Sequence, residues 1–273
     1  MPVDPSVLFG RYVANDSPLV RLDPRTKLVV IALVFASLLV VRAPLGLVPA
    51  ALAFLAAAAL SRLPLSVLLS GVRGVGWFLL ITFLFQIIFV PGQGDELARI
   101  GPIALTADGL ERGLSLSLSL LLTLLFANLL MLSTSPIEIA DAMRVSLAPL
   151  ARWRVPVEDL ALVALITFRF VPALIDESER IRKAQIARGL SPGRGLVSRA
   201  RAVLPLLVPL IEGVFRKADD LAVALEARGY EPSARRTSYR ELRFAARDGA
   251  ALVVGCGVAA AAVWLALRGR ASA

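Results

Sequence analysis

The sequence has no histidine, one cysteine and three lysines, and aromatic residues make up only 7% of it. Without histidine the usual zinc ligand and the commonest general base are both missing. Cys256 lies alone in an apolar block near the C-terminal end, so the chain offers no disulfide and no thiol pair. None of Lys27, Lys183 and Lys217 follows the Gly-x-x-x-x-Gly pattern that cradles phosphates, so any ATP used by this protein is bound by a partner. The scarcity of aromatics also bears on the formal net charge of +9. The bases are interleaved with acids along helices and lack the stacking rings of base recognition, so nucleic acid is not the expected partner.

What the chain has in abundance is apolar length. Hydrophobic residues make up 57% of it and mean hydropathy is +0.74, and these residues fall in blocks, the mark of a membrane protein. The blocks run from Leu28 to Val41, Pro44 to Leu60, Gly74 to Val90, Leu114 to Leu132 and Gly249 to Leu267, most of them near the roughly 20 residues that a helix needs to cross a bilayer. The first is short, but Lys27 and Arg42 can snorkel at its two ends. It does not read as a cleaved leader: the preceding segment is long and carries acids as well as bases, and no small-x-small cleavage site follows.

Basic residues set the expected orientation. Arg11, Arg21, Arg25 and Lys27 precede the first block, Arg62 and Arg73 lie between the second and third, and a large basic cluster lies between Ser133 and Arg243. The positive-inside rule places these in the cytoplasm, and the acidic stretch from Pro91 to Asp108 outside. Five spans then run from a cytoplasmic N-terminus to an outer C-terminus, although Arg268 and Arg270 pull the last helix the other way.

Asp108-Gly-Leu-Glu-Arg-Gly113 resembles the opening of the CDP-alcohol phosphotransferase signature. Metal chemistry there needs further aspartates within a few helical turns, and the next is Asp141. A turn leading into a helix whose first turn carries acids accounts for the segment without chemistry. An integral-membrane enzyme acting on a lipid, with Asp108 and Glu111 as metal or acid-base groups, is one alternative reading, and the absence of histidine and of a second acidic cluster argues against it.

The segment between Ser133 and Arg243 is too long for a loop and too apolar for disorder. Ser135-Pro-Ile-Glu138 carries an N-cap, a proline at the first helical position and a capping-box glutamate. Ile139, Met143, Leu147 and Leu150 then share one face. A second helix is expected from near Pro156, with Arg169 between Phe168 and Phe170 suited to a headgroup boundary, a packed crossing or simple snorkelling. A third is expected to begin around Val203 to Pro209, with Leu206, Leu207, Leu210 and Val214 on its apolar face.

Within this segment one short pattern occurs twice, Ala184-Gln-Ile-Ala-Arg-Gly-Leu190 and Ala224-Leu-Glu-Ala-Arg-Gly-Tyr230, with Arg188 and Arg228 separated by 40 positions. Each copy reads as a helix end, with Gly189 or Gly229 free to take the left-handed conformation and Pro192 or Pro232 beyond it. An ordinary C-cap explains one copy; two copies, each after a charged stretch, suggest tips built to present an arginine to a carboxylate on a partner.

Taken together these residues resemble the transmembrane T component of energy-coupling factor (ECF) transporters, the group that includes cobalt-transport permeases. The resemblance rests on Leu22-Asp-Pro-Arg-Thr-Lys27, Thr134-Ser-Pro136, Arg169-Phe-Val-Pro172, Arg236-Thr237 and above all the two Ala-Arg-Gly motifs, in that order and over most of the chain. It implies an all-α polytopic membrane bundle of about five spans with long amphipathic cytoplasmic coupling helices. The expected parts are a tail and four spans over 1–133, a coupling-helix region over 134–243, and a last span and tail over 244–273. It also implies a coupling subunit of a bacterial-type cell membrane, without catalysis or cofactor of its own. Its partners would be two cytoplasmic ABC ATPases, docked by Ala187, Arg188, Gly189, Ala227, Arg228 and Gly229, and a separate substrate-binding S component for a vitamin or metal ion. Ile139, Met143, Leu147 and Leu207 are candidates for that second contact. A membrane scaffold that binds other cytosolic partners shares every feature except the resemblance.

Overall fold

A computed structural model describes residues 17–41, 43–89, 96–100, 103–153, 156–190, 195–231 and 244–271. Arg11, Arg42, Pro192, Pro232 and Arg236-Thr237 lie outside the described residues. In chain order the elements are α1 (Pro24–Val40), a 3-10 turn (Pro44–Leu47), α2 (Val48–Ser61), α3 (Leu65–Arg73), α4 (Gly76–Phe89), strands β1 (Glu96–Ile100) and β2 (Ile103–Thr106), α5 (Ala107–Ser133), α6 (Pro136–Leu147), a 3-10 turn (Ala148–Trp153), α7 (Val157–Ala187), α8 (Leu196–Ala227) and α9 (Ala246–Ala271). The fold is a helical membrane bundle. The chain divides into two compact units, one formed by 1–139 with 241–273 and the other by 140–240.

Three helical stretches of the first unit are long and apolar enough to cross a bilayer: Pro44–Ser61, Ala107–Ser133 and Ala246–Arg268. The other two apolar blocks form shorter helices. The 17 residues of α1 reach about 25 Å and the 14 of α4 about 21 Å, below the roughly 30 Å of hydrocarbon, so each needs its flanks or local thinning to complete a span. The stretch from Pro91 to Asp108, expected as a loop, contains an antiparallel hairpin in which Ile100 pairs with Ile103 and Glu96 with Thr106. Asp108 then sits in the first turn of α5, whose N-cap Thr106 accepts the Gly109 N–H at 3.2 Å. The acids of that motif therefore mark a helix start, and among the described residues no carboxylate cluster suited to a metal is formed.

The core of this unit lies where α1, α2, α5 and α9 meet. Ala50, Phe54 and Ala58 recur every four residues on α2, and Leu122, Phe126 and Leu129 form the matching stripe on α5. Phe54 and Phe126 pack edge to face with centroids 5.5 Å apart. Helices approach closely where side chains are small. A Cβ added to Gly255 on α9 would lie 2.9 Å from Val30 Cγ1 on α1. Between α3 and α5, Asn128 Nδ2 donates to the Leu68 carbonyl, a polar link inside an apolar bundle.

At the basic end of the bundle, three helix ends are joined by buried charge. Asp23 is the N-cap of α1 and accepts the Arg25 N–H at 2.9 Å, with Pro24 at the first helical position. Asp248, only 1% exposed, accepts the Asp23 N–H and the Ala245 N–H, both at 2.8 Å. One carboxylate thus satisfies a capping position of α9 and fixes the start of α1 against it. Lys27 Nζ, on the next turn of α1, donates to the Ser133 carbonyl at 2.9 Å and to Thr134 Oγ1 and the Val20 carbonyl at 3.3 Å. Anion at two helix N-termini and cation at a helix C-terminus both match the helix dipoles. Replacing Asp248 by Ala strands two N–H groups and is expected to cost about 2–4 kcal/mol, with the isosteric Asp248→Asn variant losing roughly half as much. Thermal unfolding in detergent measures this, and an unchanged midpoint for Asp248→Ala would refute the tie.

Candidate partner-docking site

The second unit is dominated by α7 and α8, and α6, the helix that leads into it along the chain, starts as the capping box requires. The Ser135 hydroxyl accepts the Glu138 N–H and the Glu138 carboxylate accepts the Ser135 N–H, both at 3.2 Å, so α6 starts at Pro136. Leu147 closes α6, and the chain tightens into the 3-10 turn that holds Leu150. Arg144 pairs with Glu158 at 3.2 Å, which secures the end of α6 to the start of α7. The second helix opens after Pro156, as its sequence suggests. The third opens earlier than expected: α8 begins at Leu196 and carries Pro205 and Pro209 in its interior.

A proline inside a helix leaves the carbonyl four residues back without its donor. Pro209 does this to the Pro205 carbonyl, and the side chain of Gln185 on α7 donates to that oxygen at 3.3 Å. Two more ties run along the same pair, Lys217 to Glu177 at 3.5 Å and Tyr230 Oη to Asp159 Oδ1 at 3.2 Å. As the position on α7 falls through 185, 177 and 159, its partner rises through 205, 217 and 230, so the two helices run antiparallel.

Both Ala-Arg-Gly motifs end their helices in the same way. Gly189 at φ 90° and Gly229 at φ 72° are left-handed. The Gly189 N–H bonds to the Ile186 carbonyl and the Leu190 N–H to the Gln185 carbonyl, each at 3.0 Å. In the second copy the Gly229 N–H reaches the Glu226 carbonyl at 2.9 Å and the Tyr230 N–H the Leu225 carbonyl at 3.0 Å. These are paired Schellman motifs. A Cβ added at either glycine would meet nothing within 4 Å, so backbone conformation, rather than crowding, demands glycine there. The resemblance between the copies extends to their surroundings: Ala187, Arg188 and Gly189 are exposed, as are Ala227, Arg228 and Gly229, while Gln185, Leu190, Leu225 and Tyr230 are half-buried.

The antiparallel register decides where the arginines stand. Measured from the Lys217–Glu177 contact, Arg188 lies 11 residues along α7 and Arg228 lies 11 residues along α8 in the opposite direction. The two tips are therefore at opposite ends of the hairpin, separated by roughly 33 Å along its axis. Neither guanidinium has an ion pair or side-chain hydrogen bond among the described residues.

The helices between the tips also carry unpartnered apolar surface. Leu204, Val208, Ile211 and Phe215 on α8 are all at least half exposed and recur at spacings of four, three and four, a continuous stripe. Leu160 and Val163 are likewise exposed on α7, as is Arg169. Of the residues proposed for a second membrane contact, Met143, Leu147 and Leu207 are exposed and Ile139 is half-buried. Sequence reasoning overlooked Asp248, Gln185 and the Asp159–Tyr230 tie, because each acts on a partner far away in sequence.

The family model described as CbiQ, cobalt transport protein, matches residues 15–239, which include both tips and the α1 and α6 caps. The chain belongs to this family. Curated relatives agree along nearly the whole length. The energy-coupling factor transporter transmembrane protein EcfT of Bacillus subtilis is 39% identical over 249 residues, covering 91% of this chain and 94% of the relative. The protein of that name from Thermanaerovibrio acidaminovorans is 40% identical over 258 residues, covering 92% and 93%. Its namesake in Streptococcus thermophilus is 36% identical over 243 residues, covering 89% and 92%. This family member is a transmembrane energy-coupling component of an ECF transporter and an integral membrane protein.

Because both glycines have positive φ, Gly189→Ala or Gly229→Ala is expected to cost about 1–2 kcal/mol in the last turn, and Asn to cost less. Hydrogen exchange of the amides at 186–190 or 226–230 reads this directly. Unaltered protection in the alanine variants would contradict the assigned end geometry.

Proposed function

We propose that the two arginine tips are the points at which this coupling component engages two cytoplasmic ATPases. The observation that carries the proposal is the pair of like-built, exposed Schellman ends at opposite poles of one antiparallel hairpin. Each presents an arginine beside small residues, so each fits a narrow groove that ends in a carboxylate. Ala187, Gly189, Ala227 and Gly229 let the backbone approach closely, while Arg188 and Arg228 supply a desolvated charge pair. A single docked protein would have little use for two equal sites roughly 33 Å apart; two copies or homologues of one partner would use both.

In this reading the subunit performs no catalysis. When the ATPases close on ATP, the distance between their grooves changes, and the hairpin carries the displacement because three polar ties and a continuous helix pair resist bending. The N-terminus and the hairpin lie in the cytoplasm, in accord with the concentration of basic residues. The exposed stripes on α7 and α8, together with Ile139, Met143, Leu147 and Leu207, grip a membrane-embedded substrate-binding subunit and tilt it. The solute, a vitamin or a metal ion, is bound by that other polypeptide.

Affinity purification of the detergent-solubilised complex tests the docking sites. Arg188→Glu or Arg228→Glu is expected to weaken ATPase retention by about 2–5 kcal/mol, about 30-fold or more, and the double variant to abolish it while remaining folded. If wild type retains no ATPase under gentle conditions, a scaffold for other cytosolic partners replaces this reading. The second contact is tested separately. Leu207→Glu or Leu147→Glu should keep the ATPases and lose the substrate-binding subunit; a folded complex that still captured that subunit would remove these faces from the mechanism.

A further inference from the structure

The first unit contains a cavity of about 640 Å³ between α1, α2, α5 and α9 that the docking reading leaves unused. Its lining combines large apolar side chains of α1 and α5 with small residues, Ala53, Ala56 and Ala57 on α2 and Ala250, Ala251 and Gly255 on α9. Along α1 it extends from Thr26 to Val34, about 12 Å, and along α9 from Arg247 to Val258, about 16 Å. That depth is close to one leaflet, half of the roughly 30 Å of hydrocarbon.

Polarity is concentrated at one end. Arg21 stands just before α1, Arg62 is the left-handed C-cap of α2, and Arg247 lies in the first turn of α9. Lys27, which binds the end of α5, completes the rim. No described carboxylate lines the cavity. A slot one leaflet deep, apolar along its length and cationic at the end that the positive-inside rule assigns to the cytoplasmic headgroup region, has the chemistry of an anionic lipid. The four cations at the mouth favour a phosphate headgroup over an apolar transmembrane helix, and a soluble anion would have no use for the apolar length.

We propose that this cavity is a binding site for one anionic phospholipid, with an acyl chain between α2 and α9 and the phosphate held by Arg62, Arg247 and Arg21. The bound lipid fills space that the small residues of α2 and α9 leave open and reinforces the end of the bundle where Asp248 and Lys27 join the helices. This inference is independent of what docks on the helix tips.

Native mass spectrometry of the full chain, titrated with phosphatidylglycerol or phosphatidylcholine, tests it. Wild type should retain one phosphatidylglycerol with at least a tenfold preference over phosphatidylcholine. Arg62→Gln with Arg247→Gln should bring the preference near one, and Ala57→Trp, which fills the acyl slot, should remove binding of both lipids. If the double variant does not fold, Arg247→Gln alone should still reduce the preference several-fold, since Arg247 is exposed. Equal binding of the two lipids by wild type, or an undiminished preference in a folded arginine variant, would overturn the proposal. So would displacement of phosphatidylglycerol by glycerol 3-phosphate, which would mark a site for soluble anions. Loss of a membrane partner in Ala57→Trp with phosphatidylglycerol binding intact would assign the cavity to a protein helix.

Discussion

The buried pair of charges at the basic end of the bundle sets the frame for everything else. A lone carboxylate or ammonium inside a membrane protein is costly, and Asp248 and Lys27 are accommodated because each meets backbone groups that the helices themselves leave unsatisfied. Asp248 takes two N–H groups, one from each of two helix starts, and Lys27 takes the carbonyl at the end of a third. Three helices consequently begin or end at one level, and α6 leaves from there, since Thr134, which meets Lys27, stands immediately before the cap Ser135. Next to this junction lies the cavity of the first unit, with Arg21, Arg62 and Arg247 at its mouth.

Helix-end chemistry serves the second unit with the opposite outcome. At the bundle end, charges complement helix termini and are buried with their partners. At the ends of α7 and α8, the Schellman motifs satisfy the terminal carbonyls by backbone alone, which leaves Arg188 and Arg228 with no structural duty among the described residues. An arginine that the fold does not consume is available to a partner. The hairpin between the tips also leaves an apolar stripe on α8 exposed.

Much of this was legible in the residues. Ser135-Pro-Ile-Glu138 specified a helix start through local hydrogen bonds, and Ala-Arg-Gly specified two helix ends, because capping depends on neighbours within a few positions. Leu22-Asp-Pro-Arg-Thr-Lys27 and Thr134-Ser-Pro136 stood out as motifs, but nothing local shows that Lys27 meets Ser133 and Thr134. Asp248 read only as an acid beside a span. The beginning of α8 was misjudged because prolines argue against a helix interior; Gln185, from the other helix, supplies the missing donor. The hairpin of β1 and β2 lay hidden in a segment marked chiefly by its acids.

The membrane setting, the repeated arginine ends and the family resemblance can be read from the residues alone. Each of these is a matter of composition or of short-range pattern, written within a turn or two of chain. That the two tips stand at opposite poles, that a carboxylate and an ammonium join three helix ends, and that residues of separate helices line one cavity emerges only from the folded arrangement. These depend on register and on contacts across 20 to more than 200 positions, where the burial of apolar surface and the pairing of buried polar groups select one arrangement among many that local pattern permits.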